Sequence, residues 1–104
     1  MDTLTRLETT IADRRGGDPA ASYVARLCSG GPPLLARKLG EEAVEACVAA
    51  LAGSREDLVG EAADLVFHLM VLLGAKGIPL AEILAELDRR EGVSGLAERA
   101  TRRA

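Results

Sequence analysis

Aromatic side chains are almost missing from this chain, which has one tyrosine, one phenylalanine and no tryptophan in 104 residues. Strand-built cores draw heavily on aromatic and β-branched residues. Here the apolar 48% is carried mainly by alanine and leucine, which fits close helix packing better than a β-sandwich. Cysteine is nearly as scarce. Cys28 and Cys47 form neither a metal-type nor a redox-type spacing, so they read as reduced packing residues of a cytoplasmic protein rather than a disulfide framework. There is no excess of positive charge either. A net charge of −3 and a pI near 5.1 provide no overall field to attract nucleic acid. Long hydrophobic runs are also lacking. The most apolar stretch, Leu65 to Leu73, has nine residues with His68 inside it, too few to cross a bilayer, and the N-terminus shows no signal-peptide hydrophobic region. Residues 1–104 are expected to form one all-α domain with a single modest core, with no membrane and no nucleic-acid partner.

What is present is acid in an unusual setting. Lys38-Leu-Gly-Glu-Glu-Ala-Val-Glu45 is followed by fifteen residues and then by Glu61-Ala-Ala-Asp64. Positions three and four apart share a helix face. Lys38, Glu41, Glu42 and Glu45 therefore fall on one stripe, and Glu61 and Asp64 on a stripe of the next helix. Both segments are otherwise strongly apolar, which points to carboxylates facing each other across a packed helix pair. Two like charges about 4 Å apart repel by roughly 4 kcal/mol at an effective dielectric near 20. That is comparable to the whole stability of a domain, about 5–15 kcal/mol, so converging stripes call for a cation. With only hard oxygen ligands on offer, magnesium is favoured over zinc.

Punctuation along the chain sets the elements. Leu4, Leu7 and Ile11 recur at helical spacing, and Thr5 with Glu8 matches a capping box, giving a helix over about 4–14. Asp18-Pro19 reads as N-cap and first turn of a short helix through Tyr23 and Leu27. After Ser29-Gly-Gly-Pro-Pro33 a long helix runs from about Pro33 to Leu51, with Gly40 as a costly interior residue that leaves room for a ligand or another backbone. Gly53 ends it. Ser54 with Asp57 restarts a second long helix to Leu73 or Gly74, whose last three turns have almost no polar face. A chain this small can hardly surround such a helix alone, which suggests a two-fold homodimer. Pro79 opens an amphipathic helix with Leu80, Ile83, Leu84 and Leu87 on one stripe, ended by Gly92. Ser94 to Ala100 would form a last short helix or an extension. The arginines at 89, 90, 99, 102 and 103 read as solubilising and dipole-compensating charges.

The acidic pattern resembles the signature of the MazG-like all-α nucleoside triphosphate pyrophosphohydrolases. Within that group the chain is most similar to the phosphoribosyl-ATP pyrophosphatase family of histidine biosynthesis. The narrower likeness rests on Leu4/Leu7/Ile11, Ser22-Tyr23, the Lys38–Glu45 block, the run from Glu61 through His68 to Leu73, and Ser94-Gly-Leu-Ala-Glu-Arg-Ala100. Three positions depart from the family pattern. Phe67 stands where a tyrosine is usual, Val24 replaces a common threonine, and Pro32-Pro33 replaces a more lysine-rich approach, leaving Arg37 and Lys38 as the local cations.

The resemblance implies a helical bundle with a long antiparallel helix pair completed by dimerisation. It also implies hydrolysis of phosphoribosyl-ATP to phosphoribosyl-AMP and pyrophosphate with magnesium as cofactor. Carried onto this sequence, it assigns the metal to Glu42, Glu45, Glu61 and Asp64. Glu41 becomes a further ligand or the group that activates water, and Lys38 a phosphate contact or a salt-bridge partner of the glutamates. His68 is expected to be a packed, hydrogen-bonded residue or an orienting partner of Asp64. Ser22 and Tyr23 are expected to pack, and Arg89, Arg90 and Arg99 to reach phosphates at most. Two competing readings use the same residues. One is a house-cleaning pyrophosphohydrolase acting on other nucleoside triphosphates. The other is a non-catalytic helical dimerisation module with solvated acids.

Overall fold

The computed structural model describes residues 2–91 together with Gly95, Arg99 and Arg102. Five helices, and no strand among the described residues, follow in order: α1 Thr3–Arg14, α2 Tyr23–Ser29, α3 Gly31–Ala52, α4 Arg55–Ala75 and α5 Leu80–Arg90. The all-α expectation holds. Gly92 and most of the 94–100 segment lie outside the described residues.

Two of the expected caps behave differently. Asp2, not Thr5, caps α1 by accepting from the Thr5 amide at 2.8 Å. Glu8, expected to close that capping box, instead reaches across the molecule and accepts from the Leu80 amide at 2.6 Å. The physical reason lies in α5, whose N-cap is Pro79 and has no side-chain oxygen to offer. Asp18 caps only a turn, accepting from the Ala20 amide at 2.9 Å. The short helix waits for Ser22, whose hydroxyl accepts from Ala25.

The Ser54–Asp57 capping box forms as expected. The Asp57 amide donates to the Ser54 hydroxyl at 3.1 Å and the Ser54 amide to Asp57 Oδ2 at 3.0 Å. Only Gly53 and Ser54 separate α3 from α4, so the two long helices fold back on each other and make the most extensive helix–helix contact in the chain. Gly53 is needed for this closeness. A Cβ there would sit 3.0 Å from the Ala49 carbonyl oxygen and 3.1 Å from Asp57 Oδ2.

The core occupies one end of this hairpin. Ile11 of α1, Val24 and Leu27 of α2, Leu35 of α3 and Met70 and Val71 of α4 form one buried cluster, with Phe67, Leu72 and Leu80 packed around it. α1 lies so close to α4 that a Cβ on Gly74 would meet Ile11 at 3.3 Å, and the Arg15 guanidinium donates to the Gly74 carbonyl. The other end of the hairpin is bare. Val44 is 62% exposed, Val59 63% and Leu51 90%.

By length and composition alone α4 could cross a membrane, more than its nine-residue apolar run suggested, because the average over the helix dilutes Glu61 and Asp64. Charges at mid-membrane cost about 2.5–3.5 kcal/mol each, whereas here α4 lies along α3, whose own acids meet them.

Candidate metal centre

Glu42 and Glu45 stand three residues apart on α3, and Glu61 faces them from α4. The helical period that put each set on one stripe and the two-residue turn that pairs the helices together bring one carboxylate oxygen from each residue within 4.8 Å of the others. Glu45 is exposed, while Glu42 and Glu61 are half-buried. Glu42 Oε2 and Glu61 Oε2 are fully withdrawn from solvent and have no hydrogen-bond partner. A buried, unpartnered carboxylate oxygen is costly. Two of them converging with a third carboxylate fit a hard divalent cation, and all the donors are oxygen.

The electrostatics describe the same cluster. Burial pushes the Glu42 carboxyl above its ordinary range, the neighbouring Glu45 carboxylate pushes it further, and Asp64 adds to the effect. For Glu61 burial again leads, followed by the nearby carboxylates of Glu45, Asp64 and Glu42. Asp64 therefore stands in the field of both glutamates, although it is exposed and lies outside the set of three within 4.8 Å.

Glu41 points elsewhere. It is exposed and pairs with Arg37 Nε and Lys38 Nζ, each at 3.5 Å, so Lys38 sits in an ion pair at the edge of the cluster. Among the described residues nothing outside its own helix turn lies within 4 Å of a Cβ placed on Gly40. Arg89 and Arg90 both bind Glu86, at 2.6 and 3.1 Å, and hold its carboxyl down at about 2.

His68 is only 6% exposed and hydrogen-bonded, as expected of a packed residue. Its Nδ1 donates to the Asp64 backbone carbonyl at 2.7 Å, not to the Asp64 carboxylate. A carbonyl only accepts, which places a proton on Nδ1, and in that tautomer Nε2 accepts from the Tyr23 hydroxyl at 3.0 Å. Sequence reasoning set Tyr23 aside as packing. The available signal was composition, since the chain's one tyrosine, one phenylalanine and one histidine form a single cluster.

Two concavities flank these elements. A groove of about 360 Å³ runs beside Glu45 and Glu61, lined by Val44, Val48 and Ala49 of α3 and closed by Gly53 and Asp57. A larger cleft of about 530 Å³ lies between α1, the end of α4 and the start of α5. Its charged residues, Glu8 and Arg15, are both engaged with backbone groups, and it holds no converging acids. The first groove is the one with chemistry beside it.

Comparison with known proteins gives a consistent result. The family described as phosphoribosyl-ATP pyrophosphohydrolase matches residues 4–91. A phosphoribosyl-ATP pyrophosphatase of Novosphingobium aromaticivorans is 64% identical over 101 residues, covering 97% of this chain and 94% of the relative. Its counterpart in Erythrobacter litoralis is 64% identical over 102 residues, covering 98% of each chain. That of Dinoroseobacter shibae is 54% identical over 102 residues, covering 98% of this chain and all of the relative.

Proposed function

This chain belongs to the phosphoribosyl-ATP pyrophosphohydrolase family, and on that premise we propose that it hydrolyses phosphoribosyl-ATP to phosphoribosyl-AMP and pyrophosphate, the second step of histidine biosynthesis, in the cytoplasm. The observation that carries this reading is the meeting of Glu42, Glu45 and Glu61 within 4.8 Å, with two buried oxygens left unpartnered.

The proposed cofactor is magnesium, held by Glu42, Glu45 and Glu61 with Asp64 completing the set. When bound there it supplies charge neutralisation for the polyphosphate and lowers the cost of deprotonating a water. The chain's own groups do the rest. Lys38 offers a compact positive charge to a phosphate oxygen at the edge of the site. Glu41, which holds Arg37 and Lys38 beside the cluster, keeps both cations oriented. The apolar wall of Val44 and Val48 excludes water from one side of the acids.

The proposed assembly is a homodimer. Val44, Val48, Leu51 and Val59 leave a large apolar area open on the hairpin that carries the acids. Monomers rarely expose contiguous patches of more than a few hundred Å², and a second copy related by a two-fold axis offers the same patch in return.

The test is substrate profiling with magnesium. Pyrophosphate and phosphoribosyl-AMP should form from phosphoribosyl-ATP, with little release from the common deoxynucleoside triphosphates. Turnover of the latter alone would place the chain among the house-cleaning enzymes. Failure to bind magnesium near millimolar and to release pyrophosphate from anything would leave a helical dimerisation module.

A further inference from the structure

The acidic cluster draws its ligands from two helices, so something must fix α3 against α4 on both sides of it. On one side the Gly53–Ser54 turn does so. On the other, α2 packs against both long helices, with Val24 and Leu27 in the core. Its one polar link into α4 in that region is the Tyr23 hydroxyl, bound to His68 Nε2 at 3.0 Å. His68 in turn holds the Asp64 carbonyl at 2.7 Å. The imidazole meets both rings in T-shaped contacts, 5.9 Å from Tyr23 and 5.2 Å from Phe67, while those two rings lie nearly parallel at 6.1 Å. Packing alone would hold a phenylalanine at 23 equally well. The hydroxyl adds a directional bond that ends at the backbone of the helical turn bearing Asp64, one turn after Glu61.

We infer that Tyr23 is a positioning residue for the metal centre, acting through His68 to fix the turn of α4 that carries Asp64 against the glutamates of α3. The inference rests on the magnesium site proposed above. Tyr23→Phe removes the hydroxyl and keeps the ring. His68→Asn keeps a donor near Nδ1 and loses the Nε2 acceptor, and so cuts the same bond from the other end. Magnesium affinity is read by calorimetry on the full chain, without substrate.

Each variant should bind magnesium about 10-fold more weakly, the range seen when groups that orient metal ligands are removed. The double variant should bind no more weakly than the worse single, because one bond is lost in all three. Leu72→Val, which trims a side chain packed on the same core and removes no hydrogen-bonding group, should leave affinity within twofold of the parent. A Tyr23→Phe protein that binds within twofold of the parent overturns the positioning role, as does a double variant weakened by the product of the singles. So does Leu72→Val weakening binding as much as Tyr23→Phe. A parent protein that binds no magnesium overturns the site itself, and the positioning role with it.

Discussion

Replacing Glu45 by glutamine should make the metal-free protein more stable and the metal-loaded protein less so. Glu45 and Glu42 have carboxylate oxygens within 4.8 Å, and unit charges at that distance repel by about 0.9 kcal/mol in water and about 3.5 kcal/mol at an effective dielectric of 20. Glu45 is exposed, so the lower figure governs, and the relief is about 1 kcal/mol. For a domain of this size that raises Tm by about 4–8 °C without metal. Loss of a ligand should weaken magnesium binding by at least about 100-fold, the upper end for loss of a mere orienting group. At a concentration 100 times the parent's Kd, the parent gains about 2.7 kcal/mol. By the same relation a variant bound 100-fold more weakly gains about 0.4 kcal/mol. The two melting curves should therefore cross during a magnesium titration.

The pH dependence gives the same experiment a second axis. Glu42 and Glu61 are held above the ordinary glutamate range, first by burial and then by Glu45. A raised carboxyl binds its proton more tightly in the folded chain. Its contribution is complete below the ordinary pKa and lost as pH rises through the raised value. The metal-free parent should thus lose stability from mildly acidic to neutral pH, and Glu45→Gln should lose less. Burial remains in the variant, so the slope should shrink without vanishing. Melting followed by circular dichroism, with pyrophosphate release in parallel, checks all of this. A variant that melts below the parent without magnesium, or that keeps the parent's magnesium-induced shift, refutes the converging-charge argument.

Lys38→Ala should raise KM for the nucleotide about 10-fold while moving Tm by no more than an exposed ion pair allows, about 0.2–1 kcal/mol; an unchanged KM would leave Lys38 as a partner of Glu41 alone. Glu8→Ala removes the oxygen that caps α5 and should cost about 1 kcal/mol, read as faster hydrogen exchange at the first amides of α5, with activity retained. Leu51→Glu, at a side chain 90% exposed in one copy, should shift the protein to monomer in sedimentation without unfolding it, whereas a dimer of unchanged stability would remove the hairpin tip from the interface.

The features readable from sequence were those set by local period and local chemistry. The i, i+3 spacing put Glu42 with Glu45, and Gly53-Ser54-x-x-Asp57 marked the turn that makes Glu61 face them. Contacts between residues distant in sequence were not readable. Glu8 matches a capping box with Thr5 on paper, but Asp2 sits one turn nearer and Pro79 leaves α5 in need of an acceptor, so a bond spanning 72 positions wins. The Tyr23–His68 bond spans 45 positions and has no period to announce it. Glu41 shares a stripe with the other acids, yet two neighbouring cations draw it away, a competition that spacing alone does not resolve.

The tight reversal at Gly53–Ser54 makes the site a measuring device for chain length. Glu45 lies eight residues before Gly53 and Glu61 seven after Ser54, about 12 and 10 Å along their helices at 1.5 Å per residue. Near-equal arms are what let the carboxylates arrive level. Apart from Gly53, the Ser54–Asp57 cap and the apolar Leu51 and Val59, side chains near the tip face no packing demand within the chain, since residues 51–60 are all exposed. Deleting one residue between 55 and 60 would swing Glu61 by about 100° around its axis and turn it away from its neighbours. Over this stretch the site depends on the number of residues as much as on their identity.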